Sequence, residues 1–341
     1  DQSKLRGQLT VNNFDNPAID FKLALDVIDV DRYLPAEGKQ QQAAAPPPAG
    51  AAMAAASEFP LETLRQINTR GTLDIGKLTI QGANSEKIHL EINAAKGLIK
   101  LHPVSANLYQ GLYQGNIALD ARGRVLILAI HHNLKNVQVG PLLKDLAGDD
   151  KISGTANNRI KLRGSGANVD QVKQTLSGSG QFSFTDGAVK GINIADSIRR
   201  AEAALKGEKP PPSDAPLKTD FSSLTGSFTV AKGVIVNKDL LAKSPLLRIN
   251  GAGKIDLPKE QIDYGLKATV VGTVEGQGGR DLSDLQGLTI PIKITGDFDK
   301  PKPTVDLANL IRDQASQELK NKVADKLKDE LGADLGGIVG H

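Results

Sequence analysis

Apolar residues in this chain recur at every second position, and few segments follow any other rhythm. Phe21, Leu23, Leu25 and Val27 form one such row, and Ile88, Leu90 and Ile92 form another. Phe182 with Phe184, Phe228 with Val230, and Leu247 with Ile249 make shorter ones. The longest runs through Ile262, Tyr264, Leu266, Ala268 and Val270, and Ile290, Ile292 and Ile294 close the series. Successive side chains of a strand point to opposite faces, so a period of two marks a strand with one apolar and one polar side. Polar residues fill the alternate places: Arg159, Lys161 and Arg163 flank Ile160 and Leu162, and Gln261, Asp263 and Lys267 oppose the Ile262 row. A single wet face is the habit of antiparallel sheets. The fold class this predicts is mainly β: a long antiparallel sheet with a few short helices.

Glycine-containing pairs at Asp186-Gly187, Lys232-Gly233 and Asn250-Gly251 read as turns between strands. A loose repeat supports the strand rhythm, since Gly180-Gln-Phe-Ser-Phe-Thr-Asp-Gly187 recurs as Gly226-Ser-Phe-Thr-Val-Ala-Lys-Gly233. Short helices are expected at Pro141–Leu146 and Val169–Leu176, and a longer one at Ile192–Lys206. Leu307, Ile311, Ala315, Leu319, Val323, Leu327 and Leu331 recur at helical spacing and predict an amphipathic C-terminal helix. Its five basic and five acidic residues between 307 and 331 balance, so it is not a polybasic membrane helix.

Two inserts interrupt the pattern. Residues 36–57 are rich in Ala and Pro, and residues 207–218 hold Pro210, Pro211, Pro212 and Pro216. Both read as linkers, because such compositions bury too little apolar surface to offset ordering. The organisation expected is therefore strands in 1–35, a linker at 36–57, strands with short helices in 58–206 and a loop at 207–218. Strands resume in 219–304, and the helix and tail occupy 305–341.

The chemistry classes that composition excludes are several. Lys and Arg total 42 against 39 Asp and Glu, for a net charge of +3, and aromatics are 4% of residues. That gives neither the basic field nor the stacking platforms of a nucleic-acid binder, so no nucleic-acid partner is expected. Cysteine is absent, which removes disulfides and thiolate metal sites and fits an oxidising compartment. His131 and His132 are adjacent, so on a strand they point apart and cannot chelate one ion. Asp29 and Asp31 have no further carboxylates clustered nearby, and a solvated turn is the better reading than a cation site. Gly71-Thr-Leu-Asp-Ile-Gly-Lys-Leu78 has phosphate-loop spacing, but Leu78 stands where magnesium needs a hydroxyl, and Leu73 and Ile75 alternate as in a strand. The Gly-x-Gly pairs at Gly164, Gly178 and Gly251 lack the third glycine of a dinucleotide site. No catalytic constellation, metal site or cofactor is expected, and the chain does not read as an enzyme.

Many strands carry an apolar face, yet few helices exist to cover it. A second sheet could do so, and periodicity alone favours such a sandwich. The alternative is an open trough whose apolar inside meets something outside the chain. Continuous aliphatic rows suit an acyl chain, since a chain of about 16 carbons, at ~0.8 kcal/mol per methylene, carries roughly 12 kcal/mol that must be kept from water. The candidate lining is Phe21, Leu23, Leu25, Ile88, Leu90, Ile92, Phe182, Phe184, Phe228, Val230, Ile262, Tyr264, Leu266, Ile290, Ile292 and Ile294.

Several segments resemble the AsmA family. They are Asp29-Val-Asp-Arg-Tyr-Leu-Pro35, Asn107-Leu-Tyr-Gln-Gly111, Pro141-Leu-Leu-Lys-Asp-Leu146 and Phe184-Thr-Asp-Gly-Ala-Val-Lys-Gly-Ile-Asn193. Phe221-Ser-Ser-Leu-Thr-Gly226, Ser244-Pro-Leu-Leu-Arg-Ile-Asn-Gly-Ala-Gly253 and Ile290-Pro-Ile-Lys-Ile-Thr-Gly296 follow in the family's order. The resemblance, shared with TamB and YhdP relatives, implies a taco-like open β-groove in the periplasm and no catalytic residues. It implies an anchor in the bacterial inner membrane, preceding a fragment that starts in mid-pattern. It also implies movement of phospholipid, held by its acyl chains, toward the outer membrane, with outer-membrane components as further partners. A non-enzymatic assembly factor or scaffold for outer-membrane proteins is the alternative. A polysaccharide-binding protein is disfavoured, because Trp is absent and Tyr numbers four.

Overall fold

Short links between apolar runs decide the topology, because a two-residue turn returns the chain alongside itself. Gln81-Gly82 joins the strands Thr69–Ile80 and Ala83–Ala95, and Lys96-Gly97 joins the latter to Leu98–Leu108. All four turn residues have positive φ, between 49° and 78°, which is the turn whose twist matches that of the strands it links. Lys232-Gly233 does the same between Lys218–Ala231 and Val234–Lys243, as its sequence predicts.

The structure, a computed structural model, describes residues 3–13, 17–33, 58–148, 150–191, 193, 209, 216–245, 247–271, 287, 289–298 and 300–305. The strands are β1 (Leu5–Asn12), β2 (Ala18–Asp29), β3 (Thr69–Ile80), β4 (Ala83–Ala95), β5 (Leu98–Leu108), β6 (Gly111–Asp120), β7 (Leu126–Gln138) and β8 (Ile152–Gly166). They continue as β9 (Ser177–Lys190), β10 (Lys218–Ala231), β11 (Val234–Lys243), β12 (Leu247–Asp256), β13 (Gln261–Val270), β14 (Thr289–Asp297) and β15 (Lys302–Val305). The helices are α1 (Leu61–Gln66), α2 (Val139–Ala147) and α3 (Val169–Thr175), with a 3-10 turn at Val30–Arg32.

Among the described residues, fifteen strands form one curved, unclosed sheet in strict chain order. Fourteen steps of about 4.8 Å give the sheet a contour of roughly 67 Å across its strands. Every neighbouring pair is antiparallel except β2 and β3, which run parallel. A parallel return needs a crossover of a dozen residues or more. The 39 residues from 30 to 68, which include the 36–57 insert, make that crossover. Register shifts break the pairing of β4 with β5, β5 with β6, β7 with β8, β8 with β9, and β11 with both its neighbours. Bulges of this kind bend strands and add twist, which accounts for the curvature.

The helices gather at strand ends. Asn168 caps α3 by accepting from the Gln171 amide at 2.9 Å, and Gly148 ends α2 in the left-handed region at φ 70°. The two helices fall where short ones are expected from sequence, at Pro141–Leu146 and Val169–Leu176. At one rim the Tyr109 hydroxyl donates to Asp145 of α2 at 2.5 Å and accepts from the Asn84 amide at 3.0 Å. Asp31 accepts from the amides of Gln81 and Gly82, at 2.5 and 2.8 Å, so the aspartates near the end of β2 pin a turn. At the other rim Gly233 donates to Leu176 just beyond α3, and Lys173 pairs with Glu260 at 3.8 Å.

Two turn expectations are corrected. Asp186-Gly187 lies inside β9 and Asn250-Gly251 inside β12. Their glycines answer close approach. A Cβ at Gly187 would strike the Phe221 ring, 2.7 Å from Cε2, and one at Gly251 would meet Leu240 and Leu266 at 2.7 and 2.8 Å. The first member of the Gly180–Gly187 repeat is therefore continuous strand. The linker at 36–57, most of the 207–218 loop, the Ile192–Lys206 helix and the C-terminal helix at 307–331 lie outside the described residues.

Candidate functional site

Directly paired residues share one side of a sheet, so the register lets a face be followed from strand to strand. Phe21, Leu23 and Leu25 of β2 pair with Gly71, Leu73 and Ile75 of β3, which pair with Ile92, Leu90 and Ile88 of β4. Ile92 and Leu90 lead through Leu101 and Val104 to Ile117 and Gly115, and thence to Ile130 and His132 of β7. His132 pairs with Ile160, and its neighbours Asn158 and Ala156 on β8 pair with Phe182 and Phe184. Gly180 and Gly178 on the same side of β9 pair with Phe228 and Val230 of β10. Phe228 continues through Asn237 and Gly253 to Tyr264, and Val230 through Ile235 and Ile255 to Ile262. Tyr264, Leu266 and Ala268 finally meet Ile294, Ile292 and Ile290 of β14. All sixteen candidate residues thus stand on one face. Lys22, Glu91, Arg159, Gln181, Lys254 and Lys267 stand on the other.

Of the sixteen, Ile88, Val230 and Ile292 are buried, and the others are half-buried. A sandwich core would bury nearly all of them. The face instead divides in two. Across β11–β14, Ala242, Leu247, Ile249, Ala268, Val270 and Ile292 form a buried cluster, with Leu266, Ile290 and Ile294 packed against it. Across β2–β10 most of the candidate rows stay half-open to solvent, Ile88 and Val230 being buried. Burying an aliphatic or aromatic side chain fully is worth about 1.5–3 kcal/mol. Thirteen left half-exposed therefore forgo on the order of 10 kcal/mol, as much as a whole domain's stability.

Polar groups interrupt this face at three places. Lys77 pairs with Glu86 near the strand ends of β3 and β4. The Tyr264 hydroxyl donates to Asn237 Oδ1, while Asn237 Nδ2 donates to the Ser227 carbonyl at 2.6 Å and to Asp239 Oδ1 at 2.8 Å. Burial, with the Asp239 charge behind it, pushes the Tyr264 phenol up to about 12. In the open part, His132 packs edge-on against Tyr113 with ring centroids 6.1 Å apart. Burial pushes the His132 imidazole down and the Tyr113 phenol up. Neither His132 Nε2 nor Asn158 Oδ1, both buried, has a hydrogen-bond partner. Sequence reasoning missed His132, Asn158 and Asn237 as face residues, because a strict search for alternating apolar positions passes over a polar one.

The remaining motifs fall where a strand reading puts them. Gly71–Leu78 is interior to β3, and Gly164, Gly178 and Gly251 are interior to strands. His131 pairs with Asn116 and Lys161 on the polar face, opposite to His132. Among the described residues no group of three or more His, Asp or Glu could hold a metal ion. Two hollows of about 600 and 570 Å³ draw most of their lining from the polar face, around Asn133, Arg159 and Gln181 and around Lys254, Lys267 and Lys293. No described helix is long and apolar enough to cross a membrane.

Comparison with known proteins agrees with this architecture. The model of the AsmA family matches residues 5–240. Protein AsmA of Escherichia coli K12 is 20% identical over 332 residues, covering 95% of this chain and 54% of that protein. The chain thus spans about half the length of that curated relative. No solved structure matches it. A family match over more than half of the residues, along a sheet that follows the chain in order, establishes that the chain belongs to the AsmA family.

Proposed function

We propose that this chain is the periplasmic body of a bridge-like phospholipid-transfer protein, without catalytic activity, in the bacterial envelope. Phospholipid acyl chains slide along the apolar face between the inner and outer membranes, and a segment outside this chain anchors it in the inner membrane. The observation that carries the reading is the half-open row running from Phe21 to Phe228. Eight of the nine candidate residues from Phe21 to Phe228 keep part of their surface exposed, Ile88 alone being buried. Such a face is stabilised by any apolar guest it can cover, and the hydrophobic effect rewards area without demanding a particular shape. That suits a cargo of varied acyl chains. The flanking polar side chains face away and leave the path uncharged over most of its length.

A second reading has one observation in its favour. Among the described residues β1 has a strand on one side only, and its Leu5 and Leu9 are 61% and 59% exposed. An edge of this kind can add a client strand, as an assembly factor for outer-membrane proteins would require.

Native mass spectrometry of the purified chain separates the two. The lipid reading expects phospholipid adducts, lost when Leu23→Arg places a charge in the row. Adduct-free protein that binds unfolded outer-membrane peptides would support strand addition instead.

A further inference from the structure

We propose that the polar face of β11–β14 binds a phosphomonoester group between Lys238, Lys254, Lys267 and Lys293. This face is the reverse of the apolar one, so the inference does not rest on the acyl-chain reading. Its centre is the cross-strand pair Ala252–Gly265 of β12 and β13. Two residues toward one end stands the pair Lys254–Asp263, and two residues toward the other stands Asn250–Lys267. Lys293 of β14 pairs directly with Gly265, and Lys238 lies in the β11 bulge opposite Ala252. Neighbouring strands lie about 4.8 Å apart and alternate residues about 6.8 Å, which puts each lysine Cα roughly 7 Å from the middle of the central pair. All four exposed side chains can bring their ammonium groups over that middle on their four-carbon stems.

The middle is bare and open. A Cβ at Gly265 would meet only the Ala252 carbonyl oxygen, at 3.7 Å, and Ala252 and Gly265 are both exposed. The result is the hollow of about 570 Å³, where four lysines against one aspartate leave a net charge of +3. That aspartate, Asp263, pairs with Lys293 at 3.6 Å. Asp239, beside Lys238, is turned toward β10, where it accepts from the Ser227 amide and hydroxyl at 2.8 and 2.6 Å. Among the described residues no carboxylate stands within salt-bridge reach of Lys238, Lys254 or Lys267. The floor is firm, because Leu266 and Ile292, which alternate with Gly265, Lys267 and Lys293, pack on the reverse side in the buried cluster. An ammonium group only donates, so the guest must be an anion that only accepts. A phosphomonoester brings three acceptor oxygens and a charge of about −1.5 to −2 at pH 7. A phosphodiester or a carboxylate brings one charge and two free oxygens, and matches the lining less well. Lysine suits this role, since it binds phosphate as a point charge.

The test titrates the whole chain with glycerol 3-phosphate and with its methyl diester, followed by calorimetry. The wild type should hold the monoester about three- to tenfold more tightly, the worth of one further charge-assisted contact. Lys254→Gln and Lys267→Gln should each weaken the monoester about threefold or more. Lys161→Gln, which removes an exposed lysine from the same face of β8, should leave it unchanged. Gly265→Val keeps every charge and fills the floor with a side chain that suits a strand, so it should fold and lose most of the affinity. Vesicles of phosphatidylcholine with and without phosphatidic acid then separate the sources of the group. Flotation that needs phosphatidic acid and fails in Lys267→Gln assigns it to a lipid head, and binding of glycerol 3-phosphate without such flotation assigns it to a soluble phosphoester. No binding of the monoester, equal affinity for monoester and diester, a loss in Lys161→Gln as large as that in Lys267→Gln, or full affinity in Gly265→Val overturns the site and leaves diffuse attraction at most.

Discussion

The ring of Phe182 lies over Gly226, its direct partner on the neighbouring strand. Phe21 lies over Gly71 and Tyr264 over Gly253 in the same way, each an aromatic ring occupying the space that its cross-strand glycine leaves open. Such pairs let a single sheet bury aromatic surface without a second layer.

Gly226→Ala should therefore destabilise the protein. The new Cβ would sit 2.7 Å from Phe182 Cζ and 3.1 Å from Asn237 Nδ2, so both side chains must give way. Overpacking of this kind costs about 1–3 kcal/mol. Denaturant unfolding should show the loss, and Phe182→Leu in the same chain should recover part of it. An unchanged midpoint for Gly226→Ala would show that the ring moves aside freely.

Leu23→Arg and Leu266→Arg should differ in their effect on stability. Leu23 is half-open, so an arginine there can reach water along its aliphatic stem, and the loss should be near 1 kcal/mol. Leu266 packs against the buried Ala242–Ile292 cluster, where an unpaired charge should cost several kcal/mol. Paired unfolding curves check this, and equal losses would mean that the face is uniformly open or uniformly closed.

The depressed pKa of His132 predicts a pH dependence with a definite sign. Its folded pKa lies below the ordinary 6.5, because burial disfavours the imidazolium. The neutral ring thus contributes stability that is complete above about pH 6.5 and is lost as pH falls toward the folded value. Wild type should lose stability relative to His132→Leu across that fall. Parallel curves for the two proteins would contradict the assignment.

Deleting residues 40–56 should leave the melting transition nearly unchanged. The parallel β2–β3 pair needs a return over the length of a 12-residue strand, about 40 Å. The deletion leaves 22 of the 39 connecting residues, including the six of α1, which is enough to span it. A collapse in stability would show that the removed segment packs on the sheet.

The strand rows were legible because alternation reports which residues share a face, and Phe21, Leu90, Phe182 and Leu266 do share one. Alternation says nothing of strand direction, so the parallel β2–β3 pair was hidden although its long connection was visible. It also fails where bulges shift the phase, as between Leu101 and Val104 and between Leu134 and Val137. Glycine misled at Asp186-Gly187 and Asn250-Gly251 because it has two uses, and only the spatial neighbours Phe221 and Leu240 tell close approach from a turn. The division of the face into open and packed parts depends on what covers it, which periodicity does not record.

Photo-crosslinking from β4 tests the central claim most directly. Leu90 and Glu91 are adjacent, and they stand on opposite faces of the same strand. A benzophenone amino acid placed at Leu90 in cells should yield phospholipid adducts, and one at Glu91 should yield few or none. Equal labelling at both positions, or adducts at Glu91 alone, would contradict lipid passage along the apolar face.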